Sequence, residues 1–234
     1  MVRTVQVLAA AAYMAALPLL IVTAPVRWLA SDVAVYERGF RAHDSAARTE
    51  LPLAELDRAA RDIIDYFEND ARDLRIVVTV NGVEEALFND REVAHMRDVK
   101  QLLRALYRVN EVALVVVLGY IALAVVWAGE RSVRGLAKLS LGGLAAGSVV
   151  VGSIAVFALT GFDQAWTTFH EIAFRNDLWR LDPDTDRLIQ MFPEPFWQET
   201  TYLAGGVMAV EALAVLALCA GYLARTRGEG RSVR

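Results

Sequence analysis

LSLGGLAAGSVVVGSIAVFALT, residues 139–160, decides the fold, because no ionisable side chain interrupts it. A helix needs roughly 20 apolar residues to cross the hydrocarbon core of a bilayer, and this run is long enough. Gly143, Gly147 and Gly152, with Ala146, Ser148 and Ser153 nearby, form the small-residue pattern that lets another helix approach closely. Working outward, residues 5–24, 112–128 and 203–224 form three more apolar runs, which gives four expected spans. With 56% hydrophobic residues, the composition does not suit a water-soluble globule.

The first run follows a basic Met1-Val2-Arg3 start, as a signal peptide would. Its cleavage positions are poor: Trp28 falls where a small residue belongs before Ala30, and a cut after Ala24 would leave Pro25 next. An uncleaved anchor is expected. Orientation follows the lysines and arginines near span ends. Arg131, Arg134 and Lys138 lie between the second and third runs, Arg3 at the start, and Arg225, Arg227, Arg231 and Arg234 in the tail. Both termini are therefore expected in the cytoplasm, and the two long polar segments outside. Trp28 and Trp127 at span ends, with Trp166, Trp179 and Trp197 in the second outer loop, match an interfacial aromatic belt.

The expected architecture is a predominantly α membrane protein, a four-transmembrane-helix bundle with a small mixed α/β extracytoplasmic cap. Residues 1–27 form the first span and 28–110 the cap with an amphipathic helix. Residues 111–234 hold the other three spans, an outer loop at 161–202 and the tail. Within the cap, Leu53, Leu56, Ala60, Ile63, Ile64 and Phe67 recur at helical spacing. A β-branched run at 75–80 is followed by Asn81-Gly82, a type I′ hairpin signal, and then by residues 83–88. Asn89 followed by Glu92 reads as a capping box that starts a helix at Asp90 or Arg91. Unbroken to residue 128, that helix would be about 57 Å long at 1.5 Å per residue. The alternative is an amphipathic helix on the membrane interface, because Arg97, Lys100, Arg104 and Arg108 share a face opposite Val99, Leu102, Leu103 and Leu106.

The single Cys219 falls inside the last run and reads as a packed or lipid-facing thiol. Glu211, about a third of the way into that run, is expected to face the protein interior, with Tyr13 or Tyr120 as candidate partners.

Chemistry is confined to few residues. His170 lies one turn from both Trp166 and Phe174, so a helix from about Gln164 puts the imidazole on an aromatic face, where burial would keep it neutral. Spacing alone favours a satisfied interfacial histidine. His95 has Asp98 at i+3, and His43, beside Asp44, reads as solvated. No metal site is expected, since the segment from His170 to Phe174 lacks the second histidine of a zinc-protease helix. Asp182, Asp184 and Asp186 lack the glycine and terminal glutamate of a calcium loop and read as a turn with caps. Nucleophile elbows, phosphate loops and nucleic-acid signatures are absent from the sequence.

Longer motifs carry more. His95-Met96-Arg97-Asp98-Val99-Lys100, Phe169-His170-Glu171-Ile172, Asn176-Asp177-Leu178-Trp179, Leu181-Asp182-Pro183 and Leu188-Ile189-Gln190-Met191-Phe192-Pro193 together resemble the bacterial integral membrane family that contains the Lit-type lipoprotein intramolecular transacylases. The resemblance covers most of the chain. It implies transfer of an acyl chain from the diacylglyceryl group of a lipoprotein's N-terminal cysteine to that cysteine's α-amine. His95 and His170 correspond by this resemblance to the paired family histidines, and their general acid/base chemistry needs no cofactor. Asp98, Lys100, Glu171, Arg175, Asn176, Asp177 and Arg180 form the supporting set, the arginines toward substrate carbonyls or lipid phosphates. The implied partners are diacylated lipoproteins and membrane lipid, with no nucleic acid. The rival reading is a non-catalytic envelope protein that binds lipid or lipoprotein at the same outer-leaflet cleft. The separation of the imidazoles discriminates, because rings more than about 10 Å apart do not serve one reaction centre.

Overall fold

The computed structural model describes residues 2–80, 82–127 and 129–229. In chain order the elements are α1 (Val2–Ser31), α2 (Val33–Ala42), α3 (Ser45–Thr49), α4 (Leu53–Glu68), β1 (Val77–Val80), β2 (Val83–Ala86), α5 (Asp90–Trp127), α6 (Gly129–Thr160), α7 (Phe162–Ala173), α8 (Arg187–Met191) and α9 (Glu194–Glu229). The fold is predominantly α, and α1, α5, α6 and α9 are long and apolar enough to cross a membrane. The chain divides into two compact units, one of Met1–Val26, Tyr107–Val156 and Gly205–Arg234, the other of Arg27–Leu106 and Phe157–Ala204.

In the first, helical unit, the interior is built from Tyr13, Ala16, Leu17, Ala113, Val117 and Leu144. Pro18 lacks the N–H that would take the Met14 carbonyl in a regular helix. Gly143 of α6 packs on that carbonyl: a Cβ built there would stand 2.8 Å from Met14 O, and one at Gly147 would stand 2.5 Å from Pro18 Cβ. These two glycines are the ones that make the expected close approach. Gly152 has nothing within 4 Å. Tyr13 bonds Ser140 Oγ at 2.7 Å and stacks on Tyr120, and Asn110 Nδ2 donates to Thr23 Oγ1 at 3.0 Å. The Tyr13 hydroxyl is thus committed to Ser140 and not, as its sequence suggested, to Glu211.

In the second, mixed unit, α4 buries Leu56, Ala59, Ala60, Ile63, Tyr66 and Phe67. Leu53, expected on that stripe, is 37% exposed because it opens the helix. The strands pair antiparallel with Val80 opposite Val83, so the connection has two residues. Asn81 lies outside the described residues, and Gly82 has φ +80°, which glycine adopts without strain. The capping box forms in both directions: Asn89 N donates to Glu92 Oε2 at 2.7 Å and Glu92 N to Asn89 Oδ1 at 3.0 Å. The helix starts at Asp90 and runs without interruption to Trp127.

The basic row on α5 is used differently from an interfacial helix. Arg97 pairs with Asp73 at 2.6 Å. Lys100 donates to Ala71 O at 2.6 Å, and Arg104 to the carbonyls of Phe67, Glu68 and Asn69. A helix C-terminus leaves carbonyls without intrahelical donors, and Arg104 satisfies them at the end of α4 while Lys100 holds the loop that follows.

Candidate functional site

Helix α7 and the first turns of α5 bring the two histidines together in the mixed unit. Their ring centroids are 6.2 Å apart with 32° between planes, within the separation that one reaction centre requires. Each residue is only 7% exposed. His95 meets the edge of Phe174, and His170 is surrounded by Trp166, Phe169, Phe174 and Trp179 at centroid distances of 4.6–5.6 Å. Trp166 also stacks on Trp197 at 5.0 Å. The loop tryptophans therefore build an aromatic wall around an imidazole. The i, i+4 spacing signalled Trp166, whereas Trp179 arrives from an irregular loop that spacing does not resolve.

His170 Nδ1 lies 2.8 Å from the Trp166 carbonyl oxygen. A carbonyl only accepts, so Nδ1 carries the hydrogen and Nε2 keeps its lone pair. His95 Nδ1 is buried with no hydrogen-bond partner. Burial pushes the His95 pKa from 6.5 down to about 4, the nearby His170 adding to the fall and Asp98 opposing it. Burial also lowers His170, against the raising effect of its bond to Trp166. Both rings are neutral at pH 7.

The supporting residues fall into distinct places. Asp98 Oδ2 accepts from Asn176 Nδ2 at 2.9 Å, while Asn176 Oδ1 accepts from Leu178 N at 3.1 Å. Asp98 thus ties the 174–181 loop to α5, where the i+3 spacing had suggested a direct partner for His95. The Asp177 carbonyl takes a second tie from Arg91 Nη2 at 2.8 Å. Arg180 pairs with Asp177 at 3.1 Å and Glu171 at 3.7 Å, and its guanidinium lies 4.7 Å from the Trp179 ring centroid. Arg175 is exposed. Lys100 is buried over the Tyr66 ring, 3.9 Å from its centroid, on the loop after α4 and apart from the imidazoles' ring contacts. His43, read as solvated, instead has only 11% of its side chain exposed and meets Glu199 Oε2 at 3.2 Å, because α2 packs its C-terminus against the first turns of α9.

One buried group escaped the sequence reading in its full role. Glu92, fully buried, also accepts Leu188 N at 2.6 Å, while Asp186 accepts from Asn89 Nδ2 and from Asp182 N, each at 2.7 Å. The capping box was legible, but its link to a segment 96 residues on was not. Asp182, Asp184 and Asp186 form the expected turn, Asp182 Oδ1 accepting Asp184 N at 2.9 Å. Among the described residues, no three of His, Cys, Asp and Glu are grouped as metal ligands.

Residues 11–197 match the family model described as lipoprotein intramolecular transacylase Lit. The chain belongs to the Lit family. An uncharacterized protein of Aquifex aeolicus (strain VF5) is 27% identical over 139 residues, 55% of this chain and 59% of that protein, so the match spans under two thirds of the relative's length. Among solved structures, the fold is similar to the membrane integral lipoprotein intramolecular transacylase Lit from Bacillus cereus, with a TM-score of 0.71, 18% identity, and coverage of 94% of this chain and 96% of that one. Two forms of that protein with one histidine replaced, by arginine or by alanine, each match with a TM-score of 0.72 at 16% identity. The arginine form covers 95% of this chain and 93% of its own, and the alanine form 94% of each. Family membership and the four long apolar helices make this a multi-pass membrane protein.

Proposed function

We propose that this Lit family member is a lipoprotein intramolecular transacylase in which His170 acts as general base and His95 as hydrogen-bond donor. The observation that carries the reading is the pairing of two neutral, buried imidazoles, one with its tautomer set by a backbone carbonyl. The family match supports the reaction class.

The substrate is a diacylated lipoprotein. Its α-ammonium first loses a proton to solvent, and the free amine attacks the ester carbonyl carbon of the diacylglyceryl group. His170 Nε2 takes the second proton from the attacking nitrogen. The tetrahedral oxyanion accepts a hydrogen bond from His95, whose low pKa keeps it a neutral donor and whose Nδ1 has no protein partner. Collapse breaks the C–O bond, the His170 imidazolium gives its proton to the departing glycerol oxygen, and the amide C–N bond remains. Of the two protons the ammonium loses, one ends on glycerol and one in water. Amine and ester belong to one molecule, so holding them in a reactive conformer supplies much of the rate. Exchange of an ester for an amide is downhill and needs no nucleotide.

In this reading Asp98 and Asn176 position the loop that carries Trp179, Arg180 is braced by Glu171 and Asp177, and exposed Arg175 is left for substrate carbonyls or phosphate. Lys100 serves the fold. The lysine and arginine distribution supports cytoplasmic termini and a reaction at the outer face.

Mass spectrometry of a reporter lipoprotein's N-terminus tests the proposal. The wild-type protein should yield N-acyl, lyso-glyceryl product, and His170→Ala or His95→Ala should lower its formation by about 10²- to 10⁴-fold. A diacyl, free-amine reporter left unchanged by the wild-type protein rejects the transacylase reading and leaves the binding protein.

A further inference from the structure

The row of cations on α5 ends in a residue that the fold does not use. Arg97, Lys100 and Arg104 are engaged by Asp73 and by carbonyls near the end of α4. Arg108 is exposed, and no described residue forms a hydrogen bond or ion pair with it. It stands at one end of a groove of about 410 Å³ in the helical unit, between α1 and α5. Ala12, Ala15 and Ala16 of α1 form one side, and Val112 and Val116 of α5 are on the other. Among the described residues, Arg108 is the only charged one in the lining.

Local sequence explains the shape. Three alanines in five positions leave α1 thin there, so α5 does not fill the space beside it. Arg108, Val112 and Val116 recur every four residues and form one stripe about 12 Å long at 1.5 Å per residue, a cation at one end and apolar side chains along the rest. The volume lies within the roughly 300–1,000 Å³ of small-molecule sites. The surface complementary to such a stripe is an anion joined to an alkyl chain. A guanidinium binds phosphate oxygens in a bidentate fork, and the alanine track accepts methylenes.

We propose that this groove is a glycerophospholipid site, with one acyl chain along Ala12, Ala15 and Ala16 and the phosphate on Arg108. The groove's lining includes neither histidine, and the proposal does not depend on the reaction assigned to them.

Native mass spectrometry of the full chain in detergent tests it, with phosphatidylglycerol and diacylglycerol of matched acyl chains as probes. Phosphatidylglycerol should be retained at one molecule per chain, and diacylglycerol should need about tenfold higher concentration for equal occupancy. Arg108→Gln should bring phosphatidylglycerol down to the diacylglycerol level, while Arg108→Lys keeps most of the difference. Ala15→Leu, which fills the track from an exposed position, should weaken both lipids. Equal retention of the two lipids by the wild-type protein overturns the proposal, as does retention unchanged in Arg108→Gln. Lipid-free dimers whose stability falls in Ala15→Leu would instead assign the groove to a second copy of the chain.

Discussion

The helical and mixed units of this chain bury different things. The helical unit buries little: within the most apolar part of α9 only 6% lies inside the protein, and of α6 only 11%, leaving the rest on the outside. Its interior sets Ala16, Ala113 and Val117 beside Tyr13, Leu17 and Leu144, and its long-range polar contacts include Tyr13 with Ser140 and Asn110 with Thr23. The mixed unit completely buries Phe40, Leu56, Ile63 and Tyr66, and also Glu92, beside two histidines that remain 7% exposed. In water, burial of apolar surface drives folding, so large side chains and the polar groups they enclose are held firmly. In lipid that drive is absent between helices, and close backbone approach takes its place. One consequence is that ionisable chemistry can be preorganised in the mixed unit, while the helical unit is governed by shape.

A fall in pH should separate the units most strongly. His95 has its pKa depressed from 6.5 to about 4 by burial, so between those values the unfolded chain binds more protons than the folded one. Stability from this group is full above pH 6.5 and is lost as the pH falls toward 4. At 1.36 kcal/mol per pKa unit the loss amounts to about 3 kcal/mol. His170 shifts in the same direction. Burial raises Glu92, which gives the opposite sign, its contribution falling as pH rises through its folded pKa. The difference between wild type and His95→Gln isolates the histidine. Four of the five tryptophans, Trp28, Trp166, Trp179 and Trp197, belong to the mixed unit, so fluorescence-detected melts should show the acid loss in wild type and a shallower one in His95→Gln. Equal slopes for the two proteins would remove His95 as the titrating group.

Glu92→Gln should come next. The carboxylate accepts Asn89 N and Leu188 N, and a carboxamide keeps one acceptor oxygen while turning an NH₂ toward the other buried N–H. Leaving that donor unsatisfied costs about 2 kcal/mol. The tryptophan melt should register the loss, with Cys219 in the helical unit serving as an independent thiol probe of whether α9 opens at the same temperature.

What the sequence made legible follows the same division. Four apolar runs, the capping box and the 3.6-residue stripe of α4 are local periodicities, and each became an element close to where it was expected. The histidine pair rested on a resemblance, because no local rule connects residue 95 with residue 170. The role of the basic row depended on where α4 ends in space: without that placement, Arg97, Lys100 and Arg104 looked like the polar face of an interfacial helix, and with it they engage carbonyls and Asp73. His43 was misread for the same reason, since Glu199 lies 156 residues away. Local pattern specifies elements, while the partners of exposed-looking charges are long-range facts.

Within the helical unit, Gly147→Ala is expected to cost between about 1 and 2 kcal/mol, because its methyl would meet Pro18 Cβ at 2.5 Å and helix α1 must give way. Gly152→Ala has open space and should be neutral or slightly stabilising. Thiol-detected melting of Cys219 compares them, and equal shifts would break the assignment of the close approach to Gly147.

The smallest effect is the one that best tests how the helical unit coheres. Tyr13→Phe keeps the ring on Tyr120 and removes only the hydroxyl that bonds Ser140 at 2.7 Å. Were the pair in a dry protein core, the orphaned Ser140 would be costly; here Ser140 Oγ also donates to the Leu136 carbonyl of its own helix at 3.0 Å and keeps that partner in the mutant. Interhelical hydrogen bonds in membranes average about 0.6 kcal/mol for this reason, since separated helices find partners too. Tyr13→Phe should therefore move the Cys219 transition by less than Gly147→Ala. A larger shift would mean that hydrogen bonding, rather than the glycine contact, holds α1 against α6.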